Sequence, residues 1–125
     1  LYVPLLQRPK TYFIDIDGVI IKQGNRWPTR TYDPREFEPI AGSVAVINDL
    51  FTAGHSIILT TARAEPYRPE TEYQLKKLGL QFDALLMGLP TGQRILINDR
   101  KPQEEIDTAI AINLDRDTGL AQVEL

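Results

Sequence analysis

Tyr12-Phe13-Ile14-Asp15-Ile16-Asp17-Gly18-Val19-Ile20-Ile21 decides how the rest of the chain is read. It opens on aromatic and β-branched residues, the composition of a strand. So apolar a run suits a strand covered on both faces, as in a parallel α/β sheet. Two carboxylates, two residues apart, close it, and glycine follows. Continued regularly, the strand would put Asp15 and Asp17 on one face. A buried carboxylate is strongly disfavoured unless a cation, a partner or donors compensate it. Open parallel sheets bind ligands at the carboxyl ends of their strands. The stretch therefore reads as a strand that delivers two acids to a site, with Gly18 turning the chain away. Asp and Gly also have ordinary turn chemistry, so the local pattern by itself leaves a solvated turn open.

The rest of the chain supplies partners of the right kind. Before the motif, Leu1 to Lys10 carries Pro4 and Pro9 and reads as an irregular lead-in. The first strand is predicted over Thr11 to Ile16. Val19 to Ile21 and Arg26 to Trp27 flank Lys22-Gln23-Gly24-Asn25, a hairpin turn and small flap. Thr29 to Pro39 is a proline-bearing loop; Arg26, Arg30 and Arg35 around it are either solvated surface or a rim for an anionic substrate. Apolar spacing predicts a helix over Ser43 to Phe51, capped by Gly42 or Ser43 and stopped at Gly54. His55 to Thr61 is a buried second strand that ends in two hydroxyls, followed by Ala62-Arg63. Thr60, Thr61 and Arg63 offer the hydroxyl and guanidinium donors of a phosphate site. After a loop at Pro66 to Pro69, Glu70 to Leu78 is helical, with Tyr73, Leu75 and Leu78 facing inward and Gly79 as the stop. Phe82 to Met87 is a third strand, Gly88 to Gly92 a turn, and Arg94 to Asn98 a fourth strand ending in Asp99. Glu104 to Thr108 is a helical turn, Ala109 to Leu114 a fifth strand, and the tail from Asp115 polar and loosely held.

Strands alternating with helices predict an α/β fold: one Rossmann-like domain over 1–125, with a mainly parallel five-stranded sheet flanked by helices. Three strands end in polar groups, at Asp15/Asp17, Thr60/Thr61 and Asn98/Asp99. Parallel strands bring such ends to one edge of the sheet, and that convergence favours a site over a turn. A length of 125 residues suits one domain, and 42% hydrophobic residues suit a real core. The net charge of −3 comes without a basic block, which argues against nucleic acid as a partner. Without cysteine there is no disulfide or thiolate metal site, and a cytoplasmic location is expected. The single histidine, His55, excludes a multi-histidine metal site. No apolar run is long enough to span a bilayer, so no membrane role is expected. No signal-peptide pattern is visible, and Leu1 in place of methionine is the start expected of a piece or processed form.

These residues resemble the haloacid dehalogenase (HAD) superfamily of phosphohydrolases, over roughly Thr11 to Leu114. Phe13 to Val19 matches its first motif, a hydrophobic strand and then Asp-x-Asp-Gly followed by Val or Thr. Ile57 to Arg63 resembles the second, and Ile95 to Arg100 the fourth. The resemblance implies a magnesium-dependent phosphomonoester hydrolase. Asp15 would be the nucleophile that forms an aspartyl-phosphate. Asp17 would protonate the leaving oxygen and then activate water, with a pKa raised for that task. Thr61 or Thr60 would hold the phosphoryl oxygens. Asp99 would bind Mg2+ with Asp15 and the carbonyl of Asp17. A hard cation between carboxylate and phosphate suits the charge balance.

The sequence departs from the family at two points. Asn98 stands where the fourth motif usually has an acid, and it would ligate the metal or orient a water. Gly88 to Gly92 lacks the lysine of the third motif; Arg94 and Lys101 are the candidates to replace it at the phosphate. No connection is long enough for a cap domain, so the site is open. An open site suits a bulky phosphorylated molecule, an exposed phosphoryl group, or a homo-oligomer whose neighbour forms the lid. Trp27 reads as a substrate-facing aromatic or as core packing. Two other readings compete. A phosphoacceptor receiver domain would place an acid at the end of the third strand, where Met87-Gly88 stands. A HAD-like domain without turnover would bind a ligand or partner.

Overall fold

A computed structural model describes residues 1–24 and 33–125 of the chain. Its regular elements are β1 (Thr11–Asp15), α1 (Ser43–Thr52), β2 (Ser56–Thr60), α2 (Arg68–Leu78) and β3 (Ala84–Leu86), with single 3-10 turns at Leu5–Gln7 and Glu65–Tyr67. The strands form one parallel sheet in the order β1-β2-β3. The register pairs Asp15 with Thr60 and Thr60 with Leu86, so all three strands end on one edge.

The stretch from Tyr12 to Ile21 forms most of β1 and then a tight turn. The carbonyl of Ile16 accepts from the amides of Val19, Ile20 and Ile21, and the Ile16 amide donates to Thr60 O. The turn folds Ile16, Ile20 and Ile21 into the core beside Ile14, Ile47, Ile57, Leu59 and Leu75. β1 is covered on one face only. Ile14 is buried, but Phe13 on the other face is exposed, which corrects the expectation of a strand buried on both sides. Ile21 bridges antiparallel to Pro39, and the Lys22 amide donates to Glu38 O. The expected hairpin partner at Arg26 to Trp27, together with Arg30, lies outside the described residues.

α1 packs on β2 through Ile47. Gly42 is its N-cap, and no side chain caps it. Ser43 is buried instead: its Oγ donates to Val19 O at 2.7 Å and accepts from the Leu120 amide at 3.1 Å. α2 begins at Arg68, two residues earlier than expected, because Pro69 in the first turn gives up no helical hydrogen bond. It buries Thr71, Gln74 and Leu75, with Leu78 half-buried, while Tyr73 faces out. The inner face thus follows the i, i+3, i+4, i+7 rule, but half of it is polar.

The sheet has three strands among the described residues, not five. Residues 94–98 and 109–114 form no strand. Ile95 and Ile97 are 79% and 87% exposed, and Ile110 and Ile112 are exposed as well. Only seven residues separate Leu86 from Arg94. A parallel neighbour needs a crossover of about a dozen residues or more, so strand composition here meets a connection too short for it. The tail, in contrast, is held. The Asp117 amide donates to Gly18 O, Asp117 Oδ1 accepts from the Gln23 amide, and Leu120 is buried in the core.

Candidate active site

The end of β1 presents two carboxylates in different surroundings. The Asp15 side chain is 51% exposed and that of Asp17 27%. Asp15 lies in register with Thr60 across the β1–β2 pair, a strand spacing of about 4.8 Å, and paired residues point to the same face. Arg94 reaches it from the chain beyond β3, with Nη2 at 3.9 Å from Asp15 Oδ1. Arg94 is steadied by its own loop, as Nη1 donates to the carbonyls of Pro90 and Gly92. Burial pushes the Asp15 carboxyl above its usual range; Arg94 pulls it back, and the charge of Asp17 adds to the rise.

Asp17 is held from the interior. Arg63, whose side chain is 6% exposed, donates Nε to Asp17 Oδ2 at 3.0 Å and Nη2 to Oδ1 at 2.8 Å. Its Nη1 donates to Gln74 Oε1 at 2.8 Å and to Thr71 Oγ1 at 3.2 Å. Gln74 passes the chain on, donating Nε2 to Pro34 O. The polar inner face of α2 is thereby accounted for: it lines a buried guanidinium. Thr61 is also buried, and its Oγ1 accepts from the Arg63 amide, which fixes the turn out of β2.

Of the residues expected at the site, the structure places Asp15, Asp17, Thr60, Thr61, Arg63 and Arg94 at one edge of the sheet. Among the described residues no hydrogen bond or ion pair joins Asn98, Asp99 or Lys101 to them. Asp99 is exposed and pairs with Lys101 at 3.4 Å. Asn98 lines a shallow recess with Arg100, Asp107 and Thr108. Residues 94–98 form no strand beside β1, the arrangement expected to carry Asp99 to the carboxyl edge. Thr71, Gln74 and Arg116, whose Cγ lies beside Gly18, were not singled out from the sequence. Two polar residues at the inward spacing of α2 were the available signal for the first two.

Magnesium is the cofactor the resemblance implies, and the donors as placed do not fit it. Of the carboxylates expected to hold it, Asp15 faces Arg94 and Asp99 is paired with Lys101, and no group of three acids or histidines gathers among the described residues. Among the described residues no helix is long and apolar enough to cross a membrane.

No family model and no curated protein matches the chain. Solved structures do. A chain of the Pnkp1/Rnl/Hen1 complex superposes with a TM-score of 0.57 at 26% identity, covering 71% of this chain. A chain of the Pnkp1/Rnl/Hen1 RNA repair complex gives 0.56 at 27% identity, covering 69%. This chain spans only 31% and 28% of those two chains. D,D-heptose 1.7-bisphosphate phosphatase from B. bronchiseptica, complexed with magnesium and phosphate, matches at 22% identity with a TM-score of 0.46, over 62% of this chain and 49% of that one. The likeness to the Pnkp1 complex chains supports a HAD-like, Rossmann-like α/β fold.

Proposed function

We propose that the protein is a phosphomonoester hydrolase in which Asp15 attacks phosphorus. The observation that carries this reading is the pairing at the sheet edge: a half-buried Asp15 faces Arg94 and neighbours Thr60, while Asp17 beside it is fixed by a buried arginine. An oxygen of Asp15 forms a bond to phosphorus as the bond to the leaving oxygen breaks. Asp17 gives that oxygen its proton. Water, deprotonated by Asp17, then attacks the same phosphorus and returns Asp15 as a carboxylate. Splitting the transfer in two is nucleophilic catalysis, and the rate comes mostly from positioning and charge. Arg94 supplies positive charge beside the developing phosphoryl group, the task for which the sequence offers no lysine between Gly88 and Gly92. Thr60 supplies a hydroxyl donor on the same face.

The similar chains of the RNA repair complex make a phosphorylated RNA end a member of the substrate panel, beside a sugar phosphate, a nucleotide and an aryl phosphate. The test is turnover of that panel by the wild type and by Asp15→Asn, in magnesium and in chelator. Loss of on the order of 1,000-fold or more in kcat for the variant is the expected outcome. Turnover that survives Asp15→Asn unchanged overturns the mechanism. A specific observation favours the second reading, a HAD-like domain that binds a ligand or partner without turnover: Asp99, the expected metal ligand, is paired with Lys101. Binding of a phosphate ester with no hydrolysis across the panel would establish it.

A further inference from the structure

Arg63 follows two threonines at the end of β2, where the sequence suggests a phosphate ligand. Its surroundings point elsewhere. The side chain is buried, and its fork is committed to protein acceptors: Nε and Nη2 to the two oxygens of Asp17, Nη1 to Thr71 and Gln74. Thr71 and Gln74 are themselves buried on the inner face of α2, so they fix the guanidinium from behind. A planar fork that meets a carboxylate at two points sets its plane as well as its position. Asp17 therefore has one orientation. Each of its oxygens has a second lone pair outside the fork.

We infer that Arg63 is a positioning residue for Asp17: it acts on the reaction through that carboxylate and not by touching the phosphoryl group. The kinetic consequence rests on the phosphohydrolase reading; the pairing itself does not. Lysine at the same position would keep a charge but lose the two-point hold.

The test compares wild type, Arg63→Lys, Asp17→Asn and the double variant on an aryl phosphate, with inorganic phosphate as competing ligand. Arg63→Lys is expected to lower kcat roughly 10- to 100-fold, part of what a placed acid–base group contributes. KM and the inhibition constant of phosphate should stay within about threefold, because the phosphoryl contacts remain. The double variant should be no slower than Asp17→Asn alone, since both changes remove one function. A phosphate affinity that falls tenfold or more with kcat retained would make Arg63 a phosphate ligand and overturn the inference. Losses that multiply in the double variant would overturn it too. A readout independent of turnover covers a silent enzyme or a variant that does not fold. In the wild-type protein the Arg63 Nε–H proton should exchange slowly with solvent in nitrogen–proton correlation spectra, and Asp17→Asn should speed it by an order of magnitude or more. A wild-type Nε–H that exchanges freely contradicts the pairing even if phosphatase activity is present. A protected one supports it even if activity is absent.

Discussion

Asp15 and Asp17 are separated by one residue, yet their surroundings assign them different work. Asp15 ends the paired part of β1, half-buried, with Arg94 at 3.9 Å, and burial is the main cause of its raised pKa. Between the ordinary carboxylate value and the raised one, the folded protein binds more protons at Asp15 than the unfolded chain does. Stability therefore falls as pH rises through that window. Replacing Asp15 by asparagine removes the ionisable group. In chelating buffer at pH 7, Asp15→Asn should melt at a higher temperature than wild type, and the gain should vanish below the ordinary carboxylate range. A variant that melts lower at pH 7 would mean that the Arg94 attraction outweighs burial. The two acids were legible in the sequence because carboxylates at the end of an apolar strand are costly unless used. Their division of labour was not. Nothing local in the sequence marks Asp15 as the acid that burial raises, or Asp17 as the one that meets a guanidinium contributed from 46 residues away. Contacts between distant segments leave no local pattern.

At the scale of elements, the two helices and the first three strands were legible, since each is marked by periodicity and by a glycine or proline at its ends. Their inner faces were only half legible. Tyr73 was assigned inward by hydrophobicity, whereas Thr71 and Gln74 hold that side to serve Arg63. The tail shows the opposite error. Polar composition suggested loose attachment, but one glycine lets it dock. Gly119 adopts φ +76°, and a Cβ there would stand 2.6 Å from Ile40 Cγ2 and 2.9 Å from Ser43 Oγ. Gly119→Ala should therefore lower stability by about 2–4 kcal/mol, from left-handed backbone and overpacking together. That corresponds to a fall of on the order of 10 °C in Tm for a domain of this size. The same docking holds Asp117 against Gly18, so turnover in Gly119→Ala at low temperature should fall as well. An unchanged Tm would show that the tail does not pack on the turn after β1.

For the molecule as a whole, the sheet has three strands among the described residues, with β1 at one end of their order, and Phe13 and the run Ile95 to Ile97 are exposed. The two missing strands were expected from composition alone, and composition does not supply a neighbour. Backbone amides of residues 95–97 should exchange hydrogen within seconds, while Ile57 to Leu59 in the central strand should be protected by orders of magnitude. Protection of 95–97 would mean that a fourth strand forms after all and carries Asp99 toward the site. Transfer of the phosphoryl group to Asp15 can be observed directly. The protein is mixed with a phosphate ester from the panel, quenched in acid within milliseconds and digested for mass spectrometry. A peptide containing Tyr12 to Lys22 should be heavier by one phosphoryl group at Asp15, and this species should be absent from Asp15→Asn. Steady hydrolysis with that peptide unmodified at every quench time, and undiminished in the variant, would contradict it.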